Sequence, residues 1–181
     1  MVGVAEHIVL LRGINVGGRN RLAMPELRAL LSDAGFDRVR TYLQSGNVVL
    51  SSAASPDEVA RECERQISTH LGLAIEVIVR TRDELAEILR RNPLEGVAVK
   101  PKRHQVTFLA AELEPAAVEK ITAAAAGGEE VVALGREVYA WHPDGVGRSR
   151  LAALLSGKQL GVAATARNWD TVTSLLALAD E

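Results

Sequence analysis

One order of elements occurs twice in this chain of 181 residues. Apolar or β-branched runs bounded by turn residues stand at 8–11, 39–43, 48–50, 75–79, 106–109, 131–134, 138–141 and, more weakly, 162–165, and they read as strands. Helix signals fill the gaps. Met24, Leu27, Leu30, Leu31 and Ala34 form one apolar stripe, with Pro25 near its start and Gly35 beyond its end. Ser55-Pro-Asp-Glu58 and Thr81-Arg-Asp-Glu84 have the spacing of capping boxes, in which a hydroxyl and a carboxylate satisfy each other's backbone N–H groups. Val59, Cys63, Ile67 and Leu71 follow the first box and end at Gly72; Leu85, Ile88 and Leu89 follow the second and stop at Asn92-Pro93. An alanine-rich helix is predicted from about Pro115 to Gly127-Gly128. A short one holds Leu151, Leu154 and Leu155, and the last starts near Asn168 and carries Val172, Leu175 and Leu176.

In letters this is β-α-β-β-α-β-α, followed by the same order again. The closing segments align, Val79-Arg-Thr-Arg-Asp83 with Ala166-Arg-Asn-Trp-Asp170. The order βαββαβ is that of a ferredoxin-like split unit. An α+β fold is expected, with two tandem ferredoxin-like βαββαβ halves, each followed by a helix, from internal duplication. The halves would span 1–91 and 104–181, with 92–103 as an exposed connector.

A split unit also decides which loops meet. Strand one and strand two run the same way, and strand three returns beside strand one. The loop after strand one therefore shares an end of the sheet with the turn between strands two and three. That brings 12–21 beside Gln44-Ser-Gly-Asn47. In the second half, Gly145-Val-Gly-Arg-Ser149 and Thr165-Ala-Arg-Asn168 share the opposite end of their sheet.

The first of these loops, Arg12-Gly-Ile-Asn-Val-Gly-Gly-Arg-Asn-Arg21, carries three glycines and three arginines between a strand and a helix. Glycine lets backbone N–H groups turn inward, and a following helix start favours negative charge. The stretch reads as a seat for an anion, or else as a structural loop with solvated arginines. Gly13-x4-Gly18-Arg19-Asn20 comes close to a P-loop, but Arg19 replaces the lysine and Asn20 the magnesium-holding hydroxyl, which argues against an NTPase. Gly145-x-Gly147-x-Ser149 reads as a turn with Ser149 as a helix cap, and the absence of G-x-S-x-G signals no hydrolase nucleophile.

Other function classes recede on composition. Net charge is −2, where a dedicated nucleic-acid binder carries a basic excess. Aromatics are 3%, and no aromatic pair stands on a central strand to stack bases. The single cysteine, Cys63, excludes an intramolecular disulfide, and no two histidines stand four apart on a helix, so no metal site is expected. Met1-Val-Gly-Val-Ala-Glu-His7 lacks the marks of a signal peptide. No apolar run reaches the roughly 18 residues that cross a bilayer. A cytoplasmic protein is expected, without membrane association, and the sequence carries no signal for an oligomeric state.

Leu11-Arg-Gly-Ile-Asn-Val-Gly-Gly18, then Asn20, then Thr41-Tyr-Leu-Gln-Ser-Gly-Asn-Val-Val49, and Thr165-Ala-Arg-Asn-Trp169 together resemble one bacterial family, the uncharacterised group called domain of unknown function 1697. The family usually has Lys where this chain has Arg19, which keeps the charge and changes the hydrogen-bond geometry. The resemblance implies an α+β fold with two ferredoxin-like halves. It implies no known activity, substrate or cofactor, and marks Arg12, Asn15, Gly17, Gly18, Asn20, Gln44, Ser45, Asn47, Arg167 and Asn168 as places to look.

The resulting expectation is a protein that binds a small phosphorylated or carboxylated ligand. Arg12 and Arg19 would pair with the anion, the N–H groups of Gly17 and Gly18 would cradle it, and Asn15, Gln44 and Asn47 would orient the rest. No cofactor is expected. Whether a reaction follows is open, since these loops hold no Asp, Glu, His or Cys. The rival reading is a non-catalytic interaction or regulatory module; a weaker one is single-stranded RNA binding.

Overall fold

In the computed structural model, residues 3–181 are described. Met1 and Val2, which open the stretch read for a leader signal, lie outside the described residues. The chain divides into two compact units. The first comprises Met1–Ala86 with Leu175–Glu181, and the second Glu87–Ser174.

The first unit starts with β1 (Ala5–Leu11) and α1 (Met24–Asp33), then β2 (Asp37–Tyr42) and β3 (Asn47–Ser52), then α2 (Pro56–Leu71) and β4 (Val77–Thr81). Its sheet is antiparallel with order β2-β3-β1-β4. β1 is the central strand, and its residues from His7 onward are buried. Strands buried on both faces read as continuous apolar runs rather than as alternation, which is why Ile8–Leu11 announces itself in the sequence. Val9 and Leu11 pack with Val48 and Leu50 of β3, Leu27 and Leu31 of α1, and Val59, Cys63 and Ile67 of α2.

Local chemistry sets the helix ends. Ser55 Oγ accepts the Glu58 N–H at 3.3 Å, and the Glu58 carboxylate accepts the Ser55 N–H at 2.8 Å. The second box forms at Thr81 and Glu84 in the same way, at 3.1 and 2.8 Å, and opens α3 (Arg82–Arg90). The C-terminal segment is held in this unit by Arg40, which donates to the Leu178 carbonyl at 2.6 Å, and by Arg82, which donates to Asp180 at 2.7 Å.

Cys63 lies fully buried in this core, and burial pushes its thiol up to about 12. A thiol reacts as the thiolate. A disulfide reagent is therefore expected to leave Cys63 unmodified in the native protein and to modify it once denaturant is added. Fast native-state reaction would contradict this placement.

The rest of the chain follows the same order, its last helix passing into the first unit at Leu175. A single 3-10 turn at Pro101–Arg103 leads into β5 (His104–Leu109), then α4 (Pro115–Ala124), β6 (Glu130–Leu134), β7 (Glu137–Trp141), α5 (Arg150–Ser156), β8 (Ala164–Asn168) and α6 (Trp169–Ala179). Its antiparallel sheet has the order β6-β7-β5-β8. Leu109, Val138, Ala140 and Ala164 of the sheet pack with Ile121 of α4 and with Leu151 and Leu155 of α5. The repeat extends to register. Ile8 of β1 stands opposite Arg80, and Val106 of β5 stands opposite Arg167.

The protein is thus α+β, with two four-stranded antiparallel sheets flanked by helices, and its two similar halves are consistent with duplication of a ferredoxin-like unit. The main boundary difference from the sequence expectation is β8, which runs two to three residues later than the apolar signal at 162–165. Its paired stretch includes Thr165 and Arg167, both buried, and polar residues hide a strand from an apolar search. No helix among the described residues is long and apolar enough to cross a membrane.

Candidate functional site

Loop 12–21 leaves β1 pinned on two sides. The Leu11 N–H donates to the Gly46 carbonyl at 2.9 Å, and the Arg12 N–H donates to the Glu76 carbonyl at 3.0 Å. Asn15 Nδ2 donates to the Gln44 carbonyl at 2.7 Å. The Gly/Arg loop and the β2–β3 turn therefore form one edge, as split topology requires.

At the tip, the Arg19 N–H donates to the Val16 carbonyl at 3.0 Å, closing a tight turn over Gly17 (φ +58°) and Gly18 (φ +74°). Positive φ at both central positions is the demand of a type I′ turn, which glycine meets without steric cost. The asparagines serve as brackets. Asn15 Nδ2 also donates to the Leu22 carbonyl, and its Oδ1 accepts the Leu22 N–H, both at 2.9 Å. Asn20 Nδ2 donates to the Gly13 carbonyl at 3.1 Å. Asn47, fully buried, donates to the Tyr42 carbonyl and to Ser45 Oγ, both at 2.9 Å. These side chains satisfy backbone groups that the irregular loop would otherwise leave unpaired.

The cations divide. Arg12 is bound to Glu76 at 3.1 Å. Arg19 and Arg21 are exposed, and among the described residues neither forms an ion pair or a side-chain hydrogen bond. The N–H groups of Gly17 and Gly18 and the amide of Gln44 are likewise without an intramolecular hydrogen bond among these residues. Arg21 lies along the loop, with Nη2 3.7 Å from the position a Cβ would take on Gly18. Asn15, Gly18, Arg21, Leu22, Ala23, Glu26 and Gln44 line a depression of about 550 Å³. Glu26 and Arg21 were not among the sequence candidates. Arg21 stands inside the motif, but Glu26 looks from sequence like an ordinary acid in a first helical turn. The same edge exposes two apolar side chains, Val16 (65%) and Leu43 (55%), the latter at φ +59°.

The remaining sequence candidates belong to the second unit. Arg167 is buried, its Nη1 donating to Thr165 Oγ1 at 2.6 Å and to the Ala166 carbonyl at 2.9 Å, and burial pushes its guanidinium down to about 10. Asn168 Oδ1 accepts the Thr171 N–H at 2.9 Å and caps α6, the task of Thr81 at the matching place before α3.

That unit also brings together three residues at one spot. His142 Nδ1 and Ser149 Oγ each lie 2.5 Å from Glu129 Oε2, and Ser149 Oγ is 3.3 Å from the same His142 Nδ1. Burial works against the Glu129 charge, yet the bonds from Ser149, His142 and the Ala126 N–H hold its carboxyl below the ordinary value. A Ser-His-acid triad needs the hydroxyl and the carboxylate on different ring nitrogens. Here both share Nδ1, Nε2 is buried without a partner, and Ser149 Oγ also accepts the Ala152 N–H as the cap of α5. The cluster ties the loop after β7 to α5 and does not assemble a nucleophile. Nearby, the His104 ring stacks on Trp169, 4.3 Å between centroids and 7° from parallel.

A family described as "Protein of unknown function (DUF1697)" matches residues 4–139, which include loop 12–21 and the β2–β3 turn. The chain belongs to this family. Arg167 and Asn168 of this DUF1697 chain stand beyond the matched residues. A solved structure, "The structure of conserved bacterial protein SP0830 from Streptococcus pneumoniae", is similar over 98% of this chain and 99% of that one, with a TM-score of 0.78 and 20% identity. At that identity the likeness concerns the fold. No curated protein matches the DUF1697 chain.

Proposed function

We propose that the protein binds a small anionic ligand, phosphorylated or carboxylated, at the Gly/Arg loop 12–21. The observation that carries this reading is the exposed Arg21 guanidinium lying against Gly18, which like the N–H groups of Gly17 and Gly18 has no intramolecular partner among the described residues, at the rim of a depression of about 550 Å³. Bare N–H groups and a guanidinium are complementary to phosphate and carboxylate oxygens. The start of α1 adds to this, because Leu22 and Ala23 line the depression and Ala23, at the N-cap, brings no side-chain acceptor. In this reading Arg21 takes the place expected of Arg12, whose charge is engaged by Glu76. Arg19 supplies a second cation and Gln44 an orienting amide, while Asn15, Asn20 and Asn47 shape the loop. The reading carries with it the expectation of a cytoplasmic protein.

The test is a thermal-shift screen of phosphates, sugar phosphates, nucleotides and carboxylates, since binding to the folded state raises the melting temperature. Arg21→Ala is expected to weaken binding of any ligand found by roughly ten- to a hundredfold, the worth of charge-assisted hydrogen bonds, and to leave the unliganded melting temperature unchanged. Unaltered affinity in that variant would remove the reading.

A second reading, a partner-binding module, draws on the exposed Val16 and Leu43 at the same edge. A bulky residue held at positive φ stores strain of a kind that collects at functional surfaces. A Val16→Ser/Leu43→Ser double variant that keeps anion binding but loses a captured partner would favour it.

A further inference from the structure

We infer that the ligand of this depression carries a positive group beside its anion, as a phosphorylated amine or an amino acid does. The inference rests on the anion-binding reading above and narrows it.

The argument starts from two opposite charges that share one space without meeting. Arg21 comes from the loop before α1, and Glu26 from the first turn of α1, and both line the depression. Among the described residues neither has an ion-pair or side-chain hydrogen-bond partner, although Arg12, Arg40, Arg65, Arg82 and Arg90 each hold an acid. An anion alone in that space gains from Arg21 and loses to Glu26, and for a dianion both terms double, so the acid offsets the arginine in either case. A ligand with both signs gains at both ends. Gln44 serves either end, because its amide both donates and accepts. Leu22 and Ala23 give the depression a short apolar stretch, suited to a few carbon atoms between the charges, and its volume of about 550 Å³ lies within the range of small-ligand sites. The acid also supplies discrimination, since it repels polyanions that the arginines would otherwise attract.

The experiment is calorimetric titration of the full chain with phosphoethanolamine and with ethyl phosphate, which differ in the ammonium group. The wild type is expected to prefer phosphoethanolamine by roughly two- to fivefold, the scale of one exposed ion pair. Glu26→Gln is expected to abolish the preference by weakening phosphoethanolamine and tightening ethyl phosphate, with no change in melting temperature. β-Alanine against propionate repeats the comparison with a carboxylate and distinguishes the two sources of the anion. Equal binding of the paired ligands by the wild type, or a preference that survives Glu26→Gln, overturns the inference while the anion reading stands. If neither member of either pair binds, nor inorganic phosphate, the anion reading falls and the inference falls with it.

Discussion

Replacing Gly46 with alanine is expected to lower the melting temperature by roughly 6–12 °C, a loss of about 3 kcal/mol. Gly46 sits in the β2–β3 turn at φ +83°, a left-handed conformation that side chains resist. A Cβ built there would fall 2.7 Å from Ile14 Cδ1 and 2.8 Å from Leu11 Cβ. The Ile14 tip can rotate; Leu11 Cβ cannot, because it is fixed to the central strand whose N–H is bonded to the Gly46 carbonyl. Strain and crowding therefore add. Since Gln44 lies two residues away and its carbonyl receives the Asn15 amide, the variant is also expected to weaken any ligand of loop 12–21. A Gly46→Ala protein that melts with the wild type would show that Leu11 and Ile14 yield freely, against this account of the turn.

The second large effect is acid destabilisation through His104. This residue is 1% exposed and stacked on Trp169, and burial pushes its pKa from the ordinary 6.5 down to about 4. Folded His104 thus stays neutral where the unfolded chain already takes up a proton. Stability rises with pH wherever the unfolded state binds more protons. The contribution is complete above pH 6.5 and is lost as pH falls toward 4, with a magnitude of about 3 kcal/mol. His7 is lowered in the same direction, chiefly by burial, so the wild-type slope contains both. His104→Phe isolates one of them, keeping an aromatic ring on Trp169 and removing the proton. Denaturant unfolding between pH 7 and 4 is expected to show the variant losing about 3 kcal/mol less than the wild type. Equal losses would mean that His104 is protonated in the native state. Carboxylates held below their ordinary values, such as Glu129, lose their stabilisation at the acid end of this range and below, and affect both proteins alike.

Much of the architecture was legible because its signals are local. The capping boxes at Ser55 and Thr81 need only two side chains three residues apart, and both formed as spaced. The meeting of loop 12–21 with the β2–β3 turn followed from element order, without knowledge of any contact. β8 was harder, since Arg167 occupies a buried strand position that an apolar pattern does not anticipate. The chemistry of the edge was legible only in outline. Asn15 and Asn47 look from sequence like ligand-orienting amides, but each turns its Nδ2 to a backbone carbonyl. Arg12 looks like a free cation, but its partner Glu76 is 64 positions away and reaches it only because β4 pairs with β1.

By itself the sequence determined the repeated βαββαβ order and the two sheets it builds, because hydrophobic periodicity, caps and turn glycines act over a few residues. The tertiary structure alone decided which polar groups were already spent. Hydrogen bonds and ion pairs between distant segments engage Arg12 and the asparagines, and among the described residues they leave the side chains of Arg21, Glu26 and Gln44 and the N–H groups of Gly17 and Gly18 without intramolecular partners.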